Sequence, residues 1–402
     1  MGASDVVIIG GSIAGLMHGV VLRSIGKSVT ILESRQQHEL QAEAAGLSLG
    51  PHAQELMSKY AVWNDPVAIQ TRGSQFLSPA GVVLNEIPPA FSVTTSTWSV
   101  VFERLKAKFV EQGLSDLKAT YETGAKVIRF EEQNQGASFK IICRDEHTET
   151  DRIYEAPLLI AADGARSTIL RQLLPELQPK DAGYVAWRGC IPETETPGAL
   201  QGALEGKLLF SMFQGHYIIA YLTPGSTENT ATGDRLLDWC WFCPVQEDSA
   251  EFRNMMADSL GHQHNKTVPR GRLRSDVWER QLKAYPLSSP WYNVIRHTKE
   301  PFVTAITSFE GAAAAFHHGK LLLVGEAFTQ FRPHLGLSCN LAAAQALQLV
   351  EVFDGDKSIE DWNTFSVQYA QEFSIRSKAM GQFGLTGKWP EGYVPLYTRK
   401  GS

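Results

Sequence analysis

The turn Gly10-Gly11-Ser12-Ile13-Ala14-Gly15 follows the apolar run Val6 to Ile9. Its spacing is that of a G-x-G-x-x-G turn, with Gly10 and Gly15 in the first and third glycine positions and Ser12 in the second. The second glycine lets backbone approach a pyrophosphate closely, and serine is the smallest replacement that also brings a hydroxyl. Glu33 ends the next apolar run, 23 residues after Gly10, where a carboxylate can accept both hydroxyls of an adenosine ribose while the helix N-terminus faces the diphosphate. Together these features predict a dinucleotide site. Two further segments close apolar runs in the same way. One is Ile160 to Ser167, with Asp163, Gly164 and Arg166; the other is Leu323 to Ala327, with Gly325 and Glu326, followed by Pro333 to Asn340.

Positioning these residues requires a frame. Val6 to Ile9, the glycine turn, a helix to Ile25, Gly26 as its C-cap and a strand from Ser28 to Leu32 form one strand–turn–helix–strand unit. β-type segments recur at Lys126 to Phe130, Ser138 to Arg144, Pro157 to Ala161, Tyr184 to Ile191, Leu208 to Tyr221 and Leu237 to Pro244, so the middle of the chain is mostly sheet. From Gly319 the opening style returns, with a strand Lys320 to Val324, a glycine loop, a helix Leu341 to Phe353 and a helical stretch Ile359 to Met380. The order predicts an α/β domain built from both ends of the chain with a β-sheet domain inserted.

Composition bounds the function. The 402 residues carry 37 basic and 43 acidic side chains, a net charge of −6, which argues against a general nucleic-acid binder. Hydrophobic residues at 43% and charged residues at 20% are those of a globular chain, not a disordered one. The apolar stretch Val6 to Leu22 is preceded by Asp5 and interrupted by His18, so it reads as strand, turn and buried helix and not as a leader or membrane span. Five scattered cysteines predict free thiols in a reducing, cytoplasmic compartment. Cys240 and Cys243 stand three apart in a strand, on opposite faces and without a second pair, so no metal is expected. Trp239 and Trp241 are read as sheet core.

The three segments, in this order and spacing, resemble the aromatic-ring flavoprotein monooxygenases of the p-hydroxybenzoate hydroxylase type. Gly183 to Gly189, Gly215 to Tyr221 and the run Arg332-Pro333-His334 are similar to the branch that contains 2,6-dihydroxypyridine hydroxylase. The resemblance implies an α/β fold: a Rossmann-type FAD-binding domain (residues 1–70, 100–180 and 300–355), an inserted mixed β-sheet substrate domain (71–99 and 181–299) and a helical C-terminal segment (356–402). It implies FAD held by Gly10, Ser12, Ile13, Ala14, Gly15, Glu33, Ser34, Arg35, Asp163, Gly164, Arg166, Gly325, Glu326, Pro333, Gly336, Leu337 and Ser338. NADH or NADPH would act as transient reductant. Reduced flavin would bind O2 at C4a and the hydroperoxide would pass its distal oxygen to an electron-rich aromatic or heteroaromatic ring. The chain would act as a monomer or homodimer. Three departures stand out: Glu326 replaces the family aspartate on the ribityl chain, Ser338 replaces a glycine, and Trp98 occupies the position of a cofactor-contacting arginine, leaving Arg35 as the cation near the cofactor.

For a base or hydrogen-bond partner to the substrate hydroxyl, His216 and His334 are expected to face one cavity, since imidazole titrates near ~6.5. Tyr217 and Tyr221 are further catalytic candidates, and Ser48, Trp187 and Arg188 are substrate candidates. Trp239 to Pro244 also resembles the W-x-W-x-I-P signature of flavin-dependent halogenases, with Cys243 in place of isoleucine. The alternatives are an FAD-dependent epoxidase, decarboxylative hydroxylase or halogenase of a larger secondary metabolite, or a non-catalytic FAD-binding protein.

Overall fold

The computed structural model describes residues 4–36, 45–63, 67–111, 117–145, 150–213, 215–225, 228–283 and 289–395. Its first sheet has the order Ala315–Phe316, Leu321–Leu323, Leu158–Ala161, Val6–Ile9, Val29–Leu32, Ala119–Glu122. All pairings are parallel except that of Ala315–Phe316 with Leu321–Leu323. The central strands are buried at every position, and apolar at all but Thr30, because helices cover both faces. Ile13–Ser24 packs against Ser338–Phe353 on one side and Trp98–Val110 on another. This is the expected Rossmann-type unit, assembled from both ends of the chain.

The inserted sheet is mixed and larger. Its order is Thr267–Val268, Phe302–Glu310, Lys180–Pro192, Leu236–Pro244, His216–Thr223, Leu208–Phe213, Ser74–Leu77, Val83–Ile87. Leu208–Phe213 pairs parallel with Ser74–Leu77, and the other neighbours are antiparallel. Residues Leu208 to Tyr221, expected as one strand, form a hairpin whose turn includes Gly215 at φ +79°. Phe302–Glu310 pairs with Lys180–Pro192 in this sheet, whereas the expected bounds place residues 300–355 in the nucleotide-binding part. Val93–Thr97, expected in the inserted sheet, instead pairs with Gly46–Leu49 and Ile69–Thr71.

Strand alternation gives the inserted sheet two unlike faces. One buries Trp187, Trp239, Trp241, Val185 and Ile218 beneath the helices Gly198–Leu204, Ala250–Met255 and Pro290–Arg296. The other carries Tyr184, Tyr217, Phe242 and Cys240 and meets Met380 and Phe383 of the helix Ile359–Thr386. That 28-residue helix opens with a Ser358/Asp361 capping box and ends at Gly387 in the left-handed conformation. Near its start, Trp362 Nε1 donates to Gln345 O at 2.9 Å. The helix thus touches the nucleotide-binding unit first and the inserted sheet later. Cys240 and Cys243 fall on opposite faces, and all five cysteines are free. Among the described residues no helix is long and apolar enough to cross a membrane, and no group of three or more ligating side chains could hold a metal.

Candidate functional site

The glycine turn, Glu33, Asp163 and Gly325 all follow the carboxyl ends of parallel strands, where an open α/β sheet binds its ligand. Gly10 has φ +96°, and a Cβ there would run into the carbonyl of Ala162. A Cβ on Gly11 would lie 2.5 Å from the Tyr121 hydroxyl, and one on Gly15 would overlap Gly10 O. All three glycines are therefore fixed by space, and Gly10 by its conformation as well. Glu33 is 4% exposed. Its Oε2 accepts from Gly11 N at 2.9 Å and its Oε1 from Arg35 N at 2.9 Å, with Arg35 Nε at 3.3 Å. Ser12 caps the helix Ile13–Ser24 without a side-chain hydrogen bond to it.

Asp163 comes to the same place from the second motif. Its Oδ2 accepts from Thr168 N at 2.7 Å, while its Oδ1 is buried with no hydrogen-bond partner. Burial raises its pKa above the ordinary carboxylate value. Gly164 follows at φ +76°, and Arg166 is exposed beside it. From the third motif, a Cβ on Gly325 would approach Ala14 Cβ to 2.8 Å, and Gly325 N donates to Gln345 Oε1 at 2.9 Å. Glu326 is half-buried, and its charge, after burial, helps push the Cys339 thiol up to about 12. Gly336 turns in the left-handed region at φ +64°, so close that a Cβ would lie 2.7 Å from Ser48 Oγ. Ser338 begins the helix that follows, and Asn340 Oδ1 accepts from Ala53 N at 3.1 Å. Arg35 lies 5.9 Å from the Trp98 ring, which stacks on Phe102. The guanidinium thus occupies the neighbourhood that Trp98 leaves without a cation of its own.

These residues fit FAD on two observations. The turn is a cradle in which a Cβ at Gly10, Gly11 or Gly15 would collide, and Asp163 Oδ1 is a buried acceptor with no partner in the protein.

On the inserted sheet, the structure brings His334, Tyr217 and Tyr184 together. Tyr184 Oη lies 2.6 Å from His334 Nε2, and Tyr217 Oη is hydrogen-bonded to His334 Nδ1. A neutral imidazole has one donor and one acceptor nitrogen, so one tyrosine donates to the ring and the other accepts from it. His334 is 3% exposed, and burial, followed by the Arg332 charge, lowers its pKa to about 3. Gly381 and Gly384 of the long helix press on this cluster: a Cβ at Gly384 would lie 2.5 Å from the Tyr217 ring.

His216 does not share that cavity, as had been expected. It neighbours Tyr217 in the strand, so it points to the opposite face. There it stacks on Phe213 at 5.5 Å and 8° and lies 5.9 Å from Trp241. Its Nδ1 is buried without a partner, and burial lowers its pKa. Trp187 is on that same face, fully buried, 5.6 Å from Trp278, and cannot be a substrate contact on the His334 side.

Arg188 and Tyr221 remain on the His334 side, at the other end of the face. Asp238, which the sequence reading missed, joins them. Its signal was a single carboxylate inside the apolar strand Leu236–Pro244. Asp238 is 6% exposed; Oδ2 accepts from Thr223 Oγ1 at 2.9 Å and Oδ1 from Gly46 N at 3.3 Å. Arg188 Nη2 donates to Gly46 O at 3.2 Å. Tyr184 and Gly46 are further site-builders that the sequence did not single out.

Sequence comparison agrees with this arrangement. The FAD binding domain-like family matches residues 181–308. The chain is 24% identical over 385 residues to the 2,6-dihydroxypyridine 3-monooxygenase of Paenarthrobacter nicotinovorans, covering 93% of this chain and 90% of that protein. This protein is a homologue of the flavoprotein monooxygenases. The chain has the fold of 2,6-dihydroxypyridine-3-hydroxylase from Arthrobacter nicotinovorans, with a TM-score of 0.82 at 22% identity over 97% of this chain and 95% of that one. It is also similar in fold to a salicylate hydroxylase solved with substrate, with a TM-score of 0.69 at 16% identity over 95% and 89% of the two chains.

Proposed function

We propose that this protein is an FAD-dependent monooxygenase that uses NADH or NADPH and O2 to hydroxylate an electron-rich aromatic or heteroaromatic small molecule. The observation that carries the reading is the convergence of the three motifs on one edge of the parallel sheet, with His334 of the Pro333–Leu335 turn hydrogen-bonded to tyrosines of the inserted sheet. The relative named for a dihydroxypyridine supports a heteroaromatic ring. Five free thiols support a reducing, cytoplasmic compartment.

In this reading Gly10, Ser12, Ile13, Ala14 and Gly15 offer the helix N-terminus to the diphosphate, and Glu33, Ser34 and Arg35 hold the adenosine ribose. Asp163, Gly164, Arg166, Gly325 and Glu326 face the middle of the cofactor; Pro333, Gly336, Leu337 and Ser338 line the ring edge. FAD, once reduced, supplies the activation of O2. The protein binds, orients and keeps water out. His334, neutral and saturated by two tyrosines, orients the Tyr184 and Tyr217 hydroxyls and does not itself collect a substrate proton near neutral pH. Ser48, Tyr221 and Arg188 mark the polar rim available to ring substituents.

The test is a screen of hydroxylated pyridines, phenols, indoles and hydroxybenzoates for stimulated NAD(P)H oxidation, with product mass measured alongside. A product heavier by one oxygen is expected; oxidation without oxygen gain across the whole set would refute the hydroxylase. Glu33→Ala should weaken FAD binding roughly ten- to a hundredfold, the loss of about 1.5–3 kcal/mol for a charged hydrogen-bond partner. Unchanged affinity in a titration would place the ribose elsewhere.

A further inference from the structure

Gly46 is held at both of its peptide groups by the inserted sheet. Asp238 Oδ1 accepts from its N–H at 3.3 Å, and Arg188 Nη2 donates to its carbonyl at 3.2 Å. Asp238 is fixed in turn by Thr223 Oγ1 at 2.9 Å. The fit leaves no slack, since a Cβ on Gly46 would lie 2.8 Å from both the Asp238 carboxyl carbon and the Tyr221 ring. Along the same strand, Gly46–Leu49, the chain then reaches the flavin loop. Ser48, about 7 Å further on by strand rise, lies against Gly336. Beyond it Gly50 packs on Asn340, whose Oδ1 accepts from Ala53 N at 3.1 Å. The strand Val93–Thr97, which pairs with Gly46–Leu49, adds another tie: Thr95 Oγ1 donates to Leu222 O at 2.6 Å.

We infer that Asp238 and Arg188 are positioning residues that clamp Gly46, and that residues 46–53 form a spacer fixing the distance between the substrate-facing sheet and the flavin loop. A carboxylate at 6% exposure commits both oxygens here, one to a strand from another sheet and one to a threonine. Neither residue needs to touch a reacting atom. The consequence for turnover rests on the proposed monooxygenase reading: loosening the spacer should let reducing equivalents escape as peroxide and lower the product formed per NAD(P)H. The mechanical link itself does not depend on that reading.

The experiment is amide hydrogen exchange on the full chain, as purified and again loaded with FAD, comparing wild type, Asp238→Ala, Asp238→Asn and Gly46→Ala. Asp238→Ala should raise exchange at least tenfold both in peptides covering residues 46–49 and in those covering 333–338. Asparagine can still accept from Gly46 N–H, so Asp238→Asn should stay within threefold of wild type. Gly46→Ala, which leaves Asp238 in place but forces the strand away, should reproduce the paired increase and decides the matter if Asp238→Ala fails to fold. Leu222→Ala, on the opposite face of the sheet, controls for general destabilisation and should not raise exchange in 333–338 selectively. Exchange that rises only around residues 236–244, or an asparagine variant as loose as alanine, would overturn the clamp. A failed substrate screen would leave this exchange pattern intact, so the two claims fail separately.

Discussion

On one face of the inserted sheet, Trp187, Trp239 and Trp241 lie under covering helices, Trp278 of Ser275–Lys283 among them, with His216 at their margin. On the other, the same strands present Tyr184, Tyr217, Arg188, Tyr221 and Asp238. The first face is bought almost entirely with apolar area, and its one histidine has a ring nitrogen with nothing to bond. The second spends its polar groups in pairs: His334 on two tyrosines, Asp238 and Arg188 on one glycine. Adjacent residues such as His216 and Tyr217 therefore have unrelated roles, because a strand sends neighbours to opposite sides. What separates a packing residue from a site residue here is parity along the strand, not distance along the sequence.

The largest effect should come from Trp187→Ala. Emptying a fully buried indole costs about 3–5 kcal/mol, visible as a lower denaturation midpoint, with hydrogen exchange near Pro333 to Ser338 unchanged relative to the rest of the fold. If the residue touched substrate, the surviving enzyme would show an altered KM instead. Next is His334→Gln, which disturbs two buried tyrosine hydroxyls at about 1–3 kcal/mol each for any left unpaired.

The pH dependence sharpens the same point. The folded pKa of His334 is about 3 against ~6.5 in the unfolded chain, so its contribution to stability is present above pH ~6.5 and is lost as pH falls toward 3. His18, lowered to about 4 by burial in the helix Ile13–Ser24, acts with the same sign. Urea unfolding at pH 7.5 and at pH 5 should show a loss in wild type that is smaller in His334→Gln, while the pH–rate profile shows no step assignable to this histidine near 6.5. A loss equal in the two proteins would mean His334 is protonated in the fold.

The smallest effect is expected from His216→Phe. Replacing an imidazole whose Nδ1 is already unsatisfied by an apolar ring should change stability by no more than about 0.5 kcal/mol and leave coupling and pH profile as in wild type. A tenfold loss of hydroxylation would return it to the mechanism.

The nucleotide half was legible because its residues are constrained by contact that only one residue type satisfies. Gly10, Gly11 and Gly15 each exclude a Cβ, and Glu33 stands at a strand end whose position follows from the length of the intervening helix. The inserted sheet was legible as sheet but not as two faces. Gly215 marks the hairpin between Phe213 and His216, inside a segment that otherwise has β-type composition. Residue type joins His216 to His334, whereas strand parity parts His216 from Tyr217. Asp238 was hidden by its apolar neighbours, and its partner Gly46 is 192 residues away, a distance no local pattern spans. Phe302–Glu310 was misplaced for the same reason: nothing local states which sheet a strand will join.

The parallel sheet has a kinetic consequence. Val6–Ile9 pairs with Leu158–Ala161, which pairs with Leu321–Leu323, so its centre joins strands more than 150 residues apart in sequence. Such pairings carry a high contact order and a loop-closure cost that must be met before any contact rewards it. During synthesis the glycine turn emerges first yet cannot close its strand order until residue 323 is made, and the helix Ile359–Thr386 comes later still. The inserted sheet, whose main strands lie between residues 180 and 310, can form before then. The nascent chain should accordingly fold from its middle outward, gaining the capacity to bind a nucleotide only at the end.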